Sequence, residues 1–402
     1  MTPPLSLDFV LFAITLLGVA IFHHRTLQVA VSGLALIIGY KVLASPFGEG
    51  PGLTGLIAHL GHEWVVVANL ACLLLGFAVL ARHFEKSHVP LTLPHLLADD
   101  WKGAFTLLVI VFAMSAFLDN IAAVLIGGAV ARTLFERVHI GYLAALVTAA
   151  NAGGAGSVVG DTTTTMMWIA GVSPVAVLPA FAAALVALLV IAYPASRQQQ
   201  AHSPIRKDTR HKPHIDWARV AIVVAMLTAA VATNVVVNVW FPAHAEAFPF
   251  LGVAVWTVVF ATAGIRRPDW EHLQAAGRGA VFLLSLVLAA SMMPVDQLPD
   301  ASSLTTFAIG AISSVFDNIP LTKLALDQGG YDWALLAYAV GVGGSMTWFG
   351  SSAGVALLSE FPDARSVTRW TRGGWFVPIA YVAGFAVMLA AFGWQPTSIA
   401  AP

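Results

Sequence analysis

Apolar runs long enough to cross a bilayer recur from one end of the chain to the other, at about residues 7–22, 26–44, 63–81, 174–194, 217–241, 248–265, 279–296 and 375–392. Lipid offers no partner to a backbone N–H or carbonyl, so runs of this kind fold as helices that close their own hydrogen bonds. They are continuous and rich in Leu, Val and Ala, which argues against the short alternating strands of a membrane barrel. Composition agrees: 58% of the 402 residues are hydrophobic, 10% are charged, and the mean hydropathy is +0.81. The chain reads as an all-α polytopic membrane protein. A net charge of −1 says little, and the single Cys72 excludes only an internal disulfide. The N-terminus carries Asp8 and no basic leader, and reads as a retained first span.

The placement of charge sets an orientation. The first loops alternate between basic (His23-His24-Arg25-Thr26), acidic or neutral (Gly48 to Gly52) and basic again (Arg82 to Lys86), which puts the N-terminus outside. The next apolar block, roughly 103–131, holds Asp119-Asn120 in its middle and is followed by Arg132 and Arg137. If the block crosses once, those arginines lie outside. If it turns at Asp119-Asn120 and returns, they lie inside and every later loop falls into place. The polar stretch 196–216, with Arg197, Arg206, Lys207, Arg210 and Lys212, is then cytoplasmic, as are Arg219, Arg266, Arg267, Arg278, Arg365, Arg369 and Arg372. Only Lys41 and Lys323 fall outside the cytoplasmic set.

A second Asp-Asn-Ile, at Asp317-Asn318-Ile319, repeats the one at Asp119-Asn120-Ile121 and follows a Phe as the first nearly does. Asp300, Asp327 and Asp332 stand about its ends, so this hairpin enters from outside. Two interrupted spans follow the two hairpins, at 139–171 and 333–358. Their centres read Asn151 to Asp161 and Gly341 to Ser351, with Gly153, Gly154 and Gly160 matching Gly343, Gly344 and Gly350 at one constant offset, and Ser157 matching Thr347. The expected architecture has about ten transmembrane helices plus two re-entrant hairpins in two inverted-topology repeats with interrupted helices. The first repeat spans 1–195, a cytoplasmic linker 196–216, and the second repeat 217–402. Both termini are expected to be periplasmic, with the protein in a cell inner membrane.

A carboxylate at bilayer depth is costly unless it is partnered, and is by default a candidate site. Of 21 acidic residues, Asp119, Asp161 and Asp317 sit in motifs at that depth. Asp119 and Asp317 also suit the N-cap of a short hairpin helix, and capping and binding can coexist there. Asn120 and Asn318 offer amide oxygens to a cation, and Pro320 sets the entry of the second hairpin helix where the first has Ala122. The threonines Thr162 to Thr165 follow Asp161 directly, and carboxylate, hydroxyl and freed carbonyl oxygens form a hard-oxygen set suited to a small alkali cation. For at least two of these threonines, a bond back to the preceding turn is the simpler role. Lys323 has two readings: it snorkels to the outer surface, or it pairs with Asp317 or Asp161 and exchanges that partner when an ion or proton arrives.

The stretch from Asn151 to Trp168, "NAGGAGSVVGDTTTTMMW", together with "SVFDNIPL" from Ser314, resembles the NhaD-type sodium/proton antiporters, within the ion transporter superfamily that also holds arsenite permeases and dicarboxylate carriers. The resemblance extends over both halves. It implies a scaffold subdomain and a transport subdomain of hairpins and broken helices, an elevator-like movement, and a homodimer. It places Asp119, Asn120, Asp161, Asp317 and Asn318 at ion-handling positions.

The expected function is exchange of sodium or lithium for protons, with no cofactor and with sodium as substrate. The site would lie where the hairpin tips meet the interrupted helices, drawing on Asp119, Asn120, Asn151, Gly153, Gly154, Ser157, Asp161, Thr162, Thr163, Asp317, Asn318, Gly343, Gly344, Thr347 and Ser351, with Asp161, Asp317 and Lys323 in charge coupling. Competition of ion and proton for the same carboxylates would couple the fluxes without ATP, and the glycine stretch has neither dinucleotide spacing nor a Gly-Lys-Thr to hold phosphate. Alternatives are an arsenite, oxyanion or dicarboxylate permease and, from another class, a receptor or scaffold that transports nothing. Catalysis has little support, since His62, Glu63, His139 and His214 lie without a metal spacing.

Overall fold

The computed structural model describes residues 6–22, 25–92, 97–206, 214–241, 244 and 247–397. Part of the polar linker, residues 207–213, thus lies outside the described residues. Among the described residues the chain is helical, with only two isolated bridges and no strand. Among the described residues, five helices are long and apolar enough to cross a membrane, six if the pair Val367–Gly373 and Phe376–Phe392, bent by 60°, counts as one. The protein is a multi-pass membrane protein.

Three helices open the chain, α1 (Leu7–Ile21), α2 (Thr26–Ala44) and α3 (Gly52–Lys86). The last is 35 residues long, well beyond the expected 63–81. Its first turns carry His59 and Glu63, which lower the local hydropathy while remaining helical and buried. Next, α4 (Trp101–Ser115) and α5 (Asn120–Leu134) fold back on each other, and α6 (Ile140–Ala155) and α7 (Thr162–Ile169) form a broken helix. A single turn α8 (Pro174–Val177) leads to α9 (Ala180–His202). The second half runs α10 (Trp217–Trp240), α11 (Phe250–Thr262), α12 (Trp270–Ser291), the hairpin α13 (Ser303–Ile312) and α14 (Asn318–Gln328), the broken pair α15 (Trp333–Gly343) and α16 (Ser352–Glu360), then α17 (Val367–Gly373) and α18 (Phe376–Phe392).

The two broken helices sit at the centre. Every residue of α6 from Gly141 to Ala155, and every residue of α15, is buried. An apolar sequence with no polar face can be stable only with protein on all sides. Alanines and glycines let the neighbouring backbones close in, and α6 packs against α4, α9 and α15 through a core in which alanine recurs.

Residues at matching positions of the two halves make matching contacts. Ser115 donates to the carbonyl of Ala150 at 2.6 Å, and Ser313 to that of Val340 at 2.9 Å. A Cβ on Gly153 would overlap the backbone of Phe112, and one on Gly343 the backbone of Gly310. Asp119 caps α5 by accepting from Ile121 N at 3.2 Å, and Asp317 caps α14 by accepting from Ile319 N at 3.1 Å. The capping role expected of these two aspartates is therefore present at both hairpin tips.

The basic loops gather at one end. Arg82 and Lys86 pair with Asp269, Arg266 with Asp216, Asp216 N bonds Ser87 O, and Arg132 meets Glu360. Arg197 stands over the Trp101 ring at the start of α4, and Arg206 N bonds Leu134 O at the end of α5, so both limbs of this hairpin begin and end among arginines. At the open end of the second hairpin Gln328 bonds Pro299 O, and among the described residues no arginine forms an ion pair within 299–328.

Candidate functional site

Asp161 stands at the N-cap of α7, just past the break, and is 2% exposed. Its Oδ1 accepts from the Asn120 amide at 2.8 Å and its Oδ2 from the Thr163 hydroxyl at 2.5 Å. The same Asn120 nitrogen donates to Asn151 Oδ1 at 3.0 Å, and Asn151 passes the chain on by donating to Ser345 Oγ at 2.9 Å and Ser351 Oγ at 3.0 Å. One hydrogen-bonded line thus joins the first hairpin tip, both ends of the first break and both ends of the second. Asn120 Oδ1 is buried without a partner among the described residues. An amide oxygen left over in so dense a network is a ready ligand for a cation.

The second tip is arranged differently. Asp317 Oδ2 accepts from Ser352 Oγ at 2.8 Å, while the Asn318 side-chain nitrogen is buried without a partner among the described residues. The sequence differs at these places: the positions matching Asp161 and Asn151 are Ser351 and Gly341, so the second tip faces no second carboxylate or amide oxygen there, and Ser351 Oγ accepts from Asn151 and Gly354 N instead. Asp161 lies within electrostatic range of both Asp119 and Asp317. Among the described residues no group of three or more His, Cys, Asp or Glu is placed to hold a metal ion, so any cation here must draw on hydroxyl, amide and carbonyl oxygens as well.

The remaining expected site residues divide by use. Thr164 bonds Ser157 O at 2.6 Å and Thr165 bonds Val158 O at 2.9 Å, each also reaching Asp161 O. These two threonines do what the simpler reading assigned them, and in doing so they occupy carbonyls freed by the break. Thr347 likewise bonds Ser314 O. Gly154 closes on Gly160, and Gly344 on Gly350, which brings the two ends of each break together. Thr162 is buried beside Asp161, and Ser157 begins the turn between α6 and α7.

Lys323 follows neither sequence-based reading. It is buried, yet its Nζ lies 2.9 Å from Glu63 Oε1 on α3 and 2.6 Å from Asp327 Oδ1 one turn along α14, not against Asp317 or Asp161. Glu63 and Ser345 were not among the expected site residues. The adjacency of Lys323 and Asp327 in a helix is visible in the sequence; Glu63, 260 residues away, gives no such signal. A cleft of about 630 Å³ between the end of α3, α5 and α16 is lined by Arg82, Glu85 and Lys86 and by Ala122, two residues beyond Asn120.

Residues 1–343 match a family model described as CitMHS, citrate transporter. The chain belongs to the CitMHS family. Curated relatives of this CitMHS protein carry antiporter names. Sodium/proton antiporter 1 of Arabidopsis thaliana is 26% identical over 94% of this chain and 72% of its own, and sodium/proton antiporter 2 of the same plant is 26% identical over 85% and 89%. The Na(+)/H(+) antiporter NhaD of Vibrio parahaemolyticus is 27% identical over 61% of this chain and 70% of its own. The resemblance to NhaD-type antiporters carried by the Asp161 and Asp317 motifs is borne out, and the family and these relatives are transporters.

Proposed function

We propose that this CitMHS member exchanges sodium or lithium for protons, and that ion and proton compete for the carboxylate of Asp161, with Asp119 and Asp317 contributing charge. The observation that carries the reading is the Asn120–Asp161–Thr163 cluster with its unpartnered amide oxygen, at the place where hairpin tip and helix break meet. Sodium as substrate would be held by Asp161, Asn120 and Thr163 oxygens, with Asp119, Thr162, Asp317, Asn318 and Ser351 around them. Gly153, Gly154, Gly343 and Gly344 shape the breaks by letting backbones touch, and Ser157 and Thr347 anchor the turns. A proton on Asp161 neutralises the same charge, so only one of the two can occupy the site, and that exclusion couples the fluxes without ATP.

The architecture we infer is two inverted repeats, 1–195 and 217–402, with re-entrant hairpins and about ten transmembrane helices. The matched serine, glycine and cap contacts of the two halves support it, as does the gathering of arginines at one end, which makes 196–216 cytoplasmic and the termini periplasmic under the positive-inside rule. The cleft from Arg82 to Ala122 would then admit ions from the cytoplasm. Movement of the hairpins against α1–α3 in an elevator-like fashion, in a homodimer in the inner membrane, follows from the family resemblance.

The family description favours one second reading, transport of citrate or a similar anion. Against it, among the described residues no Lys or Arg pairs with Asp119, Asp161 or Asp317, and the one buried lysine nearby is held by Glu63 and Asp327. An anion at these carboxylates would meet uncompensated repulsion. Proteoliposomes with an interior pH dye and an imposed proton gradient separate the readings. Collapse of the gradient by sodium or lithium, and not by citrate or arsenite, is the expected result. Radiolabelled citrate uptake with no cation response would replace the antiport reading by the anion one.

A further inference from the structure

We propose that Ser345 is a positioning residue for the ion site, acting through Asn151 to hold the Asn120 amide with its oxygen free for the cation. The inference deepens the antiport reading and rests on it for the identity of that cation. Asn120, Asn151, Ser345 and Ser351 are all buried. In such a place an amide takes the orientation its partners dictate, because the reverse would set donor against donor and acceptor against acceptor.

The chain of constraint starts at Ser345, just past the end of α15. Its hydroxyl donates to Gly341 O at 3.4 Å, one turn back, so its lone pairs are left to accept from Asn151 Nδ2 at 2.9 Å. Ser345 is itself held, since its carbonyl accepts from Trp370 Nε1 at 3.2 Å. Ser351 Oγ, which accepts from Gly354 N at 3.3 Å, also takes Asn151 Nδ2 at 3.0 Å. One acceptor would leave the Asn151 amide free to swing about a single hydrogen bond; two fix its plane. Its oxygen is thereby turned to Asn120, whose nitrogen is fixed in the same way between Asn151 Oδ1 at 3.0 Å and Asp161 Oδ1 at 2.8 Å. Asn120 Oδ1 is the atom left over, without a donor among the described residues. A hydroxyl of the second half thus sets the direction of an amide oxygen in the first.

The two halves are complementary here, not equal. At the offset that matches Gly153 with Gly343, Ser345 stands where the first half has Ala155, and Gly341 where it has Asn151. Gly341 leaves room for the asparagine: a Cβ there would come within 3.3 Å of Asn151 O. Ala155 in turn has no hydroxyl to offer, so the line of hydrogen bonds runs toward the first hairpin tip only. The Asn318 nitrogen at the second tip, buried without a partner among the described residues, agrees with that.

Binding of radioactive sodium to purified protein in detergent tests the proposal. Ser345→Ala is expected to bind about fivefold more weakly than the wild type, the worth of one hydrogen bond, and Ser345→Thr, which keeps the hydroxyl, to bind as the wild type does. In proteoliposomes the sodium half-saturation of Ser345→Ala is expected to rise by the same factor while the maximal rate is retained. Equal affinity in the wild type and Ser345→Ala, or a lower maximal rate at unchanged half-saturation, would overturn the proposal. Unfolding midpoints in sodium-free buffer give a second reading that holds even if the added methyl of Ser345→Thr prevents folding. The loss in the double variant Ser345→Ala, Asn120→Ala is expected to fall short of the sum of the single losses, and additive losses would overturn the link. A wild type that binds no sodium, with non-additive losses, keeps the link and removes the antiport reading. Sodium binding that Ser345→Ala leaves unchanged, with additive losses, does the reverse.

Discussion

Asn120 and Asp161, 41 residues apart, meet at 2.8 Å between a hairpin tip and a helix break. The amide nitrogen serves two acceptors at once, since Asn151 Oδ1 takes it at 3.0 Å. Replacing Asn120 by Ala strands both acceptors in a buried place, with an expected loss of about 1–3 kcal/mol. Asn318→Ala removes a nitrogen that has no partner among the described residues, so its effect on stability is expected to be much smaller. Thermal unfolding in detergent compares the two, and an equal loss in both would contradict the asymmetry of the tips.

The threonines after Asp161 separate by role. Thr163→Val takes a hydroxyl from the Asp161 carboxylate and is expected to alter the sodium half-saturation and its pH dependence. Thr164→Val instead frees the Ser157 carbonyl and is expected to act on stability, by about 1 kcal/mol or more. Transport at several pH values together with unfolding midpoints distinguishes them.

Close backbone approach at the breaks makes Gly153 and Gly343 intolerant of a methyl group. Alanine at either position is expected to destabilise by about 1–3 kcal/mol, because the opposing atoms of Phe112 and Gly310 belong to the backbone and cannot rotate away. Gly39→Ala, with nothing within 4 Å of the added carbon, serves as the control and is expected to be neutral or better. Unfolding midpoints that move equally for all three would count against the packing account.

At the arginine-rich end, a hydrogen bond from Lys86 and the charges of Lys86 and Arg82 hold the Asp269 carboxyl down at about 2. Its contribution to stability is full above the ordinary carboxylate range and is lost as pH falls through about 2. Asp269→Asn is expected to flatten that acid limb of the unfolding curve and to lower neutral stability slightly, since the partner Lys86 is exposed and solvent screens the pair. A limb unaltered in Asp269→Asn would show that this pair contributes nothing.

Much of the fold was legible because its signals are local. An Asp-Asn in mid-run caps a new helix, so 103–131 reads as a hairpin; glycines paired with hydroxyls mark the breaks at 156–161 and 344–351. Charge placement identified the end at which Arg82, Arg132 and Arg266 lie. The long reach of α3 was missed because His59 and Glu63 look like a membrane edge until their partners, Ser291 and Lys323, are known. Ser345 escaped for a similar reason, since its link to Asn151 spans 194 residues and leaves no trace in periodicity. Asp161, Asn120 and Asp317 were legible as polar groups out of place, whereas the way Asn120 differs from Asn318 depends on what faces each across the molecule.

Competition at Asp161 is the central claim, and proton release on sodium binding measures it most directly. Purified protein in weakly buffered detergent solution, titrated with sodium at a pH where Asp161 is partly protonated, should acidify the medium in a saturable way, and Asp161→Asn should abolish the signal. Sodium binding without proton release, or release that survives in Asp161→Asn, would contradict the account.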